Sequence, residues 1–437
     1  MNTTLIRGAR LPDGTRGDIG IVDGLFADPA DVPQASPVID ADGLLALPGL
    51  VDMHTHLREP GREDAETVLT GSRAAAAGGF TAVHAMANTS PVADTAGVVE
   101  QVHRLGRAAG FTQVVPVGAV TVGLAGATLA ELGAMADSSA RVRMFSDDGH
   151  CVWDPLVMRR ALEYVKAFDG IIAQHAQEPR LTEGAQMNEG AVSAELGLPG
   201  WPAVAEESII ARDVLLAEHV GSRLHVCHVS TAGGVELIRW AKARGIRVTA
   251  EVTPHHLVLT DEEVRSYDPV FKVNPPLRTR EDVDALRNAL ADGTIDVVGT
   301  DHAPHPDEHK CVEWTAAAMG MVGLETALPV VAHAMADLDF TAADLARVMS
   351  TRPAQIVGLA HQGSLDAGTG ANLVLVDPQA AHTVDPDAHA TMGRNNPFRG
   401  RELGMRVVDT FLYGRRVYAD GALGTPLDFS GAGPWNG

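Results

Sequence analysis

Aromatic residues are scarce in this chain: Phe, Trp and Tyr make up 4% of 437 residues. With 45 glycines and many alanines in their place, the composition fits tight strand–helix turns and helices that pack on a sheet through small side chains. Cysteine is nearly absent. The three present, Cys151, Cys227 and Cys311, are odd in number and match no zinc-ribbon or redox spacing, which excludes a disulfide framework and points to a reducing compartment. Cationic residues are outnumbered, 34 Lys and Arg against 56 Asp and Glu, for a net charge of −22. Such a balance argues against nucleic acid as a partner. It leaves room for an anionic small substrate, because a few arginines can dominate a pocket. No apolar run reaches the roughly 20 residues that span a bilayer. Residues 1–10 lead into turn residues instead of the apolar stretch of a secretory leader. The expectation is a cytoplasmic protein.

What the chain does have is alternation. Between Pro48 and about residue 360, apolar runs of four to eight residues alternate with helix-like stretches. Strand-like runs lie at 50–56, 80–87, 112–117, 142–145, 171–174, 223–227, 246–252 and 295–299. Helices are expected between them, among others over 63–77, 128–136 and 342–349. Alternation of this kind builds a parallel sheet with helical crossovers, and close to eight units fit a (β/α)8 TIM-like barrel. An open doubly wound sheet is the alternative, but no Gly-x-Gly-x-x-Gly turn opens a helix. Short β runs before Pro48 and after residue 363 flank the barrel. The economical organisation is one small β domain from 1–47 and 364–437, with the barrel over 48–363.

The chemistry sits where strands end. His54 and His56, two residues apart on a strand, face the same side. Asp148, His175, His228 and Asp301 also fall where a strand gives way to a loop, the face on which barrel active sites are built. Four imidazoles and two carboxylates converging there suit two divalent metals, zinc foremost, with manganese, cobalt or iron less selectively. Two such ions about 3.5–4 Å apart lower the pKa of water from 15.7 towards about 7 and polarise a carbonyl. A carboxylate beside them can take the proton and hand it to a leaving nitrogen. That set describes hydrolysis of an amide or closure of a cyclic one. Arg58 keeps the parity of His54 and His56, and its fork of donors suits a substrate carboxylate.

Five motifs in order, Val51-Asp-Met-His-Thr-His-Leu-Arg-Glu-Pro-Gly61, Phe145-Ser-Asp-Asp-Gly149, Asn274-Pro-Pro-Leu-Arg278, Thr300-Asp-His-Ala-Pro-His305 and Gly323-Leu-Glu-Thr326, resemble the dihydroorotases of the amidohydrolase superfamily, in their long bacterial branch. The resemblance implies reversible cyclisation of N-carbamoyl-L-aspartate to L-dihydroorotate in pyrimidine (UMP) biosynthesis. It implies zinc, as two ions per subunit. His54, His56 and Asp301 would hold one, His175 and His228 the other, and Asp148 would bridge them. Asp301 would also be the general base and acid. Arg58 and Asn88, beside His56 and helped by His305, would bind the substrate carboxylate. Asn274 and the Met319-Gly320 backbone would contact the ring. A homo-oligomer is expected, with aspartate transcarbamoylase as a possible associate.

Two departures from the wider pattern stand out. Many superfamily members bridge their metals with a carboxylated lysine, whereas the bridging place here falls at Asp148 and the nearest lysine, Lys166, lies in an expected helix. Met86-Ala-Asn-Thr89 stands where Met-Pro-Asn-Thr is common. His302 and Cys227 neighbour ligands in sequence, so strand alternation should turn them away, and His255 and His256 are expected to be structural. The loop from Pro304 to Met319 is expected to move over the site. Two other readings compete: a hydantoinase, dihydropyrimidinase or allantoinase, whose substrates lack the ring carboxylate, and a non-catalytic scaffold subunit, which should have lost ligands.

Overall fold

The computed structural model describes residues 3–430 and 433–436. Among them, eight parallel strands form the central ring: β1 Leu50–Thr55, β2 Phe80–Ala85, β3 Gln113–Pro116, β4 Met144–Phe145, β5 Ile171–Gln174, β6 Arg223–Val226, β7 Val248–Val252 and β8 Val297–Val298. β1 to β3 pair as one arc and β4 to β8 as another. Single parallel bridges join the arcs on both sides, Gly118 with Phe145 and Thr55 with His302. At these seams Ser146 N donates to Gly118 O, and His56 N to His302 O, each at 2.8 Å. The ring thereby closes into a (β/α)8 barrel. The seam beside β8 falls on Thr55, His56 and His302, next in the chain to the expected ligands His54 and Asp301.

A second sheet, nine-stranded among the described residues, draws strands from both ends of the chain. Its junction is the antiparallel pairing of Leu45–Pro48 with Leu373–Asp377. Gly49 lies at the join of sheet and barrel, where an added Cβ would come within 2.2 Å of the Thr81 side chain. The strand–helix alternation in between buries one large apolar cluster of small aliphatic side chains, including Leu50, Val83, Val226 and Val252. No described helix is long and apolar enough to cross a membrane.

Three expected helices differ in instructive ways. The helix expected from residue 63 begins at Val68, because Thr67 closes a capping box with Thr70 and Glu66 turns inward. The helix expected over 128–136 is only Leu132–Asp137. Residues 128–130 instead fold back on 120–122, with Val122 N donating to Thr128 O and Ala130 N to Val120 O. The helix expected over 342–349 runs as α-helix through Ala342–Ala346 and then widens into a π-turn over Arg347–Thr351, just before Pro353, which has no N–H for an upstream carbonyl.

Candidate metal centre

Strand β1 is buried along its whole length, and His54 near its end and His56 just beyond it point to the same two carboxylates. His54 Nε2 lies 3.3 Å from Asp148 Oδ2 and 3.5 Å from Asp301 Oδ1. His56 Nε2 lies 3.2 Å and 3.0 Å from the same two oxygens. The other oxygen of Asp148, Oδ1, lies 3.2 Å from both His175 Nδ1 and His228 Nε2. Two donor sets thus share one carboxylate, each oxygen serving one set. Ligands bonded at about 2.0–2.2 Å in a tetrahedron stand about 3.3–3.6 Å apart, close to these spacings.

Hydrogen bonding behind the imidazoles decides which nitrogen faces inward. His54 Nδ1 donates to Glu251 Oε1 at 2.5 Å, His56 Nδ1 to Asn88 Oδ1 at 2.9 Å and His175 Nε2 to Gln177 Oε1 at 2.7 Å. Each neutral ring then turns a lone pair towards the centre. His54 Nε2 is buried without a hydrogen-bond partner, and His175 Nδ1 stands 2.9 Å from His228 Nε2. Lone pairs converging on buried carboxylates are costly unless a cation lies between them. The residues therefore fit two divalent ions.

Against burial, Asp148, Glu251 and Asp301 raise His54 well above the usual imidazole range, so proton and cation compete for its inward nitrogen. Burial opposes charge on Asp148, but His54, with His175 and His228 hydrogen-bonded to it, holds its carboxyl well below the usual range. Burial likewise opposes charge on Asp301, yet His54 and His56 bring it down to about 2. Three residues here, Arg58, His228 and Asp301, have positive φ (63°, 30° and 45°), a conformation rare for side chains with a Cβ and concentrated at functional sites.

All six expected ligands converge. The residues expected to contact substrate each engage protein partners. Arg58 is buried, its Nε donating to Pro304 O at 3.1 Å. Burial and Arg62 lower its pKa to about 10, which leaves it cationic at neutral pH. Asn88 uses its oxygen on His56, so its amide nitrogen is the atom left for a ligand. Asn274 Nδ2 donates to Gln177 Oε1 at 3.1 Å, while its Oδ1 is buried without a partner. His305 Nε2 donates to Met319 O at 2.9 Å, leaving a buried, unpartnered Nδ1. Gly320 N donates to Lys272 O at 3.0 Å, and Gly320 O accepts from Asn395 Nδ2 at 3.0 Å, so both groups are already engaged. Gly320 has φ +143°, and a Cβ there would meet His305 Nε2 at 2.8 Å.

His302 turns away, to Glu66 Oε2 and the Gly323 amide. Cys227 sits behind His54 beside Glu251, outside the two donor sets. Lys166 is far from any bridging role, its Nζ on Val220 O. His256 braces the 274–276 turn by contacting Pro275 O at 3.1 Å, and Thr253 Oγ1 at 2.7 Å holds its other nitrogen. The 304–319 segment is not bare loop. It contains a helical turn, Asp307–Lys310, and is tied by Lys310 Nζ to Lys272 O and Ala318 O, and by Lys272 Nζ to Trp314 O.

Sequence reasoning missed Glu251, Gln177 and Asn395. Glu251 had a signal: a lone carboxylate inside the apolar strand Val248–Val252. Asn395 had none. It donates to Ala303 O at 2.9 Å and accepts from His305 N at 3.2 Å across 90 residues or more.

Comparison with known proteins agrees with this geometry. A family model described as "Dihydro-orotase-like" matches residues 43–233. The protein named Dihydroorotase in Streptomyces coelicolor is 65% identical over 430 residues, spanning 97% of this chain and 100% of its own. The protein of that name in Mycobacterium tuberculosis is 54% identical over 427 residues, covering 96% and 99%. Among solved structures, an L-hydantoinase (dihydropyrimidinase) from Arthrobacter aurescens superposes with a TM-score of 0.85 at 27% identity, covering 98% of this chain and 99% of its own.

Proposed function

The chain belongs to the dihydroorotase family, and from that premise we propose how its residues divide the work. The reaction is the reversible cyclisation of N-carbamoyl-L-aspartate to L-dihydroorotate, a step of pyrimidine biosynthesis. The observation that carries the division of labour is the Asp148 carboxylate, with His54, His56 and Asp301 at one oxygen and His175 and His228 at the other. His54, His56 and Asp301 would hold one ion and His175 and His228 the second, with Asp148 able to serve both. Both ions are taken to be zinc, on the strength of the imidazole-rich donor set. Bound there, they would lower the pKa of water towards about 7 and polarise the amide carbonyl.

The protein's own groups do the rest. Asp301 Oδ1 faces His54 and His56, which leaves Oδ2 to carry a proton. In ring opening, water adds to the ring amide carbon. Asp301, ionised at neutral pH, takes its proton and returns it to the departing ring nitrogen. Ring closure retraces this path. Arg58 and the Asn88 amide nitrogen take the substrate carboxylate. His305 joins them only when its Nδ1 is protonated, a form the bound carboxylate favours. Asn274 Oδ1, buried without a protein partner, suits a ring N–H, and the Met319-Gly320 backbone forms the wall beside the ring. Closure of the 304–319 segment over bound substrate belongs to the same reading, as do a catalytic unit over 48–363 flanked by 1–47 and 364–437, a cytoplasmic location and a homo-oligomer that can associate with aspartate transcarbamoylase.

The test is ring opening by the metal-loaded protein. Opening of L-dihydroorotate but not dihydrouracil is expected, together with two metal equivalents by elemental analysis and no turnover by a folded Asp301→Ala variant. Opening of dihydrouracil alone would place the substrate among uncharged cyclic amides. Turnover by Asp301→Ala would remove the proton-carrier role.

A further inference from the structure

Behind the second donor set, one side-chain amide serves two functional residues at once. Gln177 lies in the loop after strand β5, two residues beyond His175. Its Oε1 accepts from His175 Nε2 at 2.7 Å and from Asn274 Nδ2 at 3.1 Å, while its Nε2 donates to Thr182 Oγ1 at 2.8 Å. A ligand of the centre and a residue assigned to the ring, far apart in the chain, thus share a single acceptor oxygen.

The direction of this row of bonds is set at its outer end. Thr182 is buried, and its Oγ1 lies 3.2 Å from Glu178 O and 3.4 Å from Pro179 O. A carbonyl oxygen only accepts, so the hydroxyl proton goes to that pair and the hydroxyl oxygen is left to accept. The nitrogen end of the Gln177 amide therefore faces Thr182, and the oxygen end faces His175 and Asn274. His175 then donates from Nε2 and keeps its lone pair on Nδ1, the nitrogen beside Asp148. Asn274 donates from Nδ2 and keeps Oδ1, buried without a protein partner, as an acceptor. With the amide turned over, every polarity would reverse. An N–H₂ would face His175 Nε2 and drive the imidazole proton to Nδ1, against a cation. Asn274 would turn its own N–H₂ outward, and a ring N–H would meet a donor.

Taking the second ion and the cyclic amide from the function proposed above, we propose that Thr182 and Gln177 are positioning residues that fix two polarities together. The anchored amide holds His175 as a lone-pair donor to the ion and Asn274 as an acceptor selective for a ring N–H.

The experiment measures zinc retention against a chelator in the substrate-free, full-length protein, and kcat and KM for dihydroorotate at saturating zinc. Thr182→Val keeps the shape and removes the anchor. It should lose the second ion at about tenfold lower chelator concentration. Its KM should rise about threefold to tenfold, with kcat changed less. Thr182→Ser retains the hydroxyl and should match the wild type. Adding Gln177→Glu to Thr182→Val presents an oxygen to both partners whichever way the group turns, so zinc retention and KM should both recover. Wild-type behaviour of Thr182→Val, a Thr182→Ser defect equal to that of Thr182→Val, or a double variant no better than Thr182→Val would each overturn the proposal, the last two by assigning the effect to packing. A wild type that holds one ion, or opens no dihydroorotate, would overturn the proposed function itself and these two roles with it.

Discussion

Replacing Glu251 with glutamine changes one atom and tests the logic of the whole centre. Glu251 is fully buried. Its Oε1 accepts from His54 Nδ1 at 2.5 Å and, at 3.3 Å, from the His228 amide, while Oε2 faces His225 Nε2 at 3.2 Å. Burial opposes charge on the carboxyl, but His54 and His225 keep it ionised well below its ordinary range. Glutamine preserves shape and one acceptor oxygen. It removes the negative charge that makes His54 a strong donor to a metal, and it presents an N–H₂ to one of the two imidazoles. A hydrogen bond to a charged partner is worth about 1.5–3 kcal/mol, and loss of such an outer partner lowers metal affinity about 10- to 100-fold. The Glu251→Gln protein should therefore lose metal at 10- to 100-fold lower chelator concentration, followed by elemental analysis of dialysed samples. Its kcat should recover when zinc is added in excess. Metal affinity equal to the wild type would refute the claim that Glu251 sets the inward lone pair of His54. Reduced kcat at full metal content would assign it a different task.

Three further predictions follow from geometry. Arg58→Met should raise KM for dihydroorotate at least tenfold with metal content unchanged; unaltered KM would end its assignment to the carboxylate. Asn395→Ala strips partners from Ala303 O, Gly320 O and His305 N, at about 1 kcal/mol each. It should lower stability by about 3 kcal/mol in urea and raise KM more than it lowers kcat, and an unchanged KM in the folded variant would show that Asn395 does not position the wall of the site. His305 is pressed down to about 3 by burial and by Arg58, so it is a base whose folded pKa lies below its unfolded value of about 6.5. Its contribution is present above pH 6.5 and is lost as pH falls towards 3, at about 1.4 kcal/mol per unit. Between pH 6.5 and 5 the wild type should lose about 2 kcal/mol more than His305→Gln; parallel curves would contradict this.

How far the chain could be read in advance depended on whether a property was local. The strand ends were legible because apolar runs stop sharply at His54, Asp148, His175, His228 and Asp301, and the six ligands could be collected before any pairing was known. Barrel closure was not, since the bridge from Thr55 to His302 joins residues far apart in the chain. The same holds for the helix that starts at Val68 instead of residue 63. The Thr67–Thr70 capping box is a local signal, but Glu66 turns inward to meet His302 and Thr391, contacts with no trace in its neighbours. Asn88 shows the limit of motif reasoning: its place beside the ligands was readable, while the bond that commits its oxygen to His56 required the fold.

The identity of the bridging residue reaches beyond the centre itself. A lysine in that place becomes a bridge only after its amine has reacted with dissolved carbon dioxide, so assembly of such a site depends on the gas as well as the metal. Asp148 is complete when the polypeptide is made. In the proposed arrangement, with that carboxylate between the two donor sets, maturation should need metal alone, and the enzyme should regain its full complement in degassed, bicarbonate-free buffer as readily as in air.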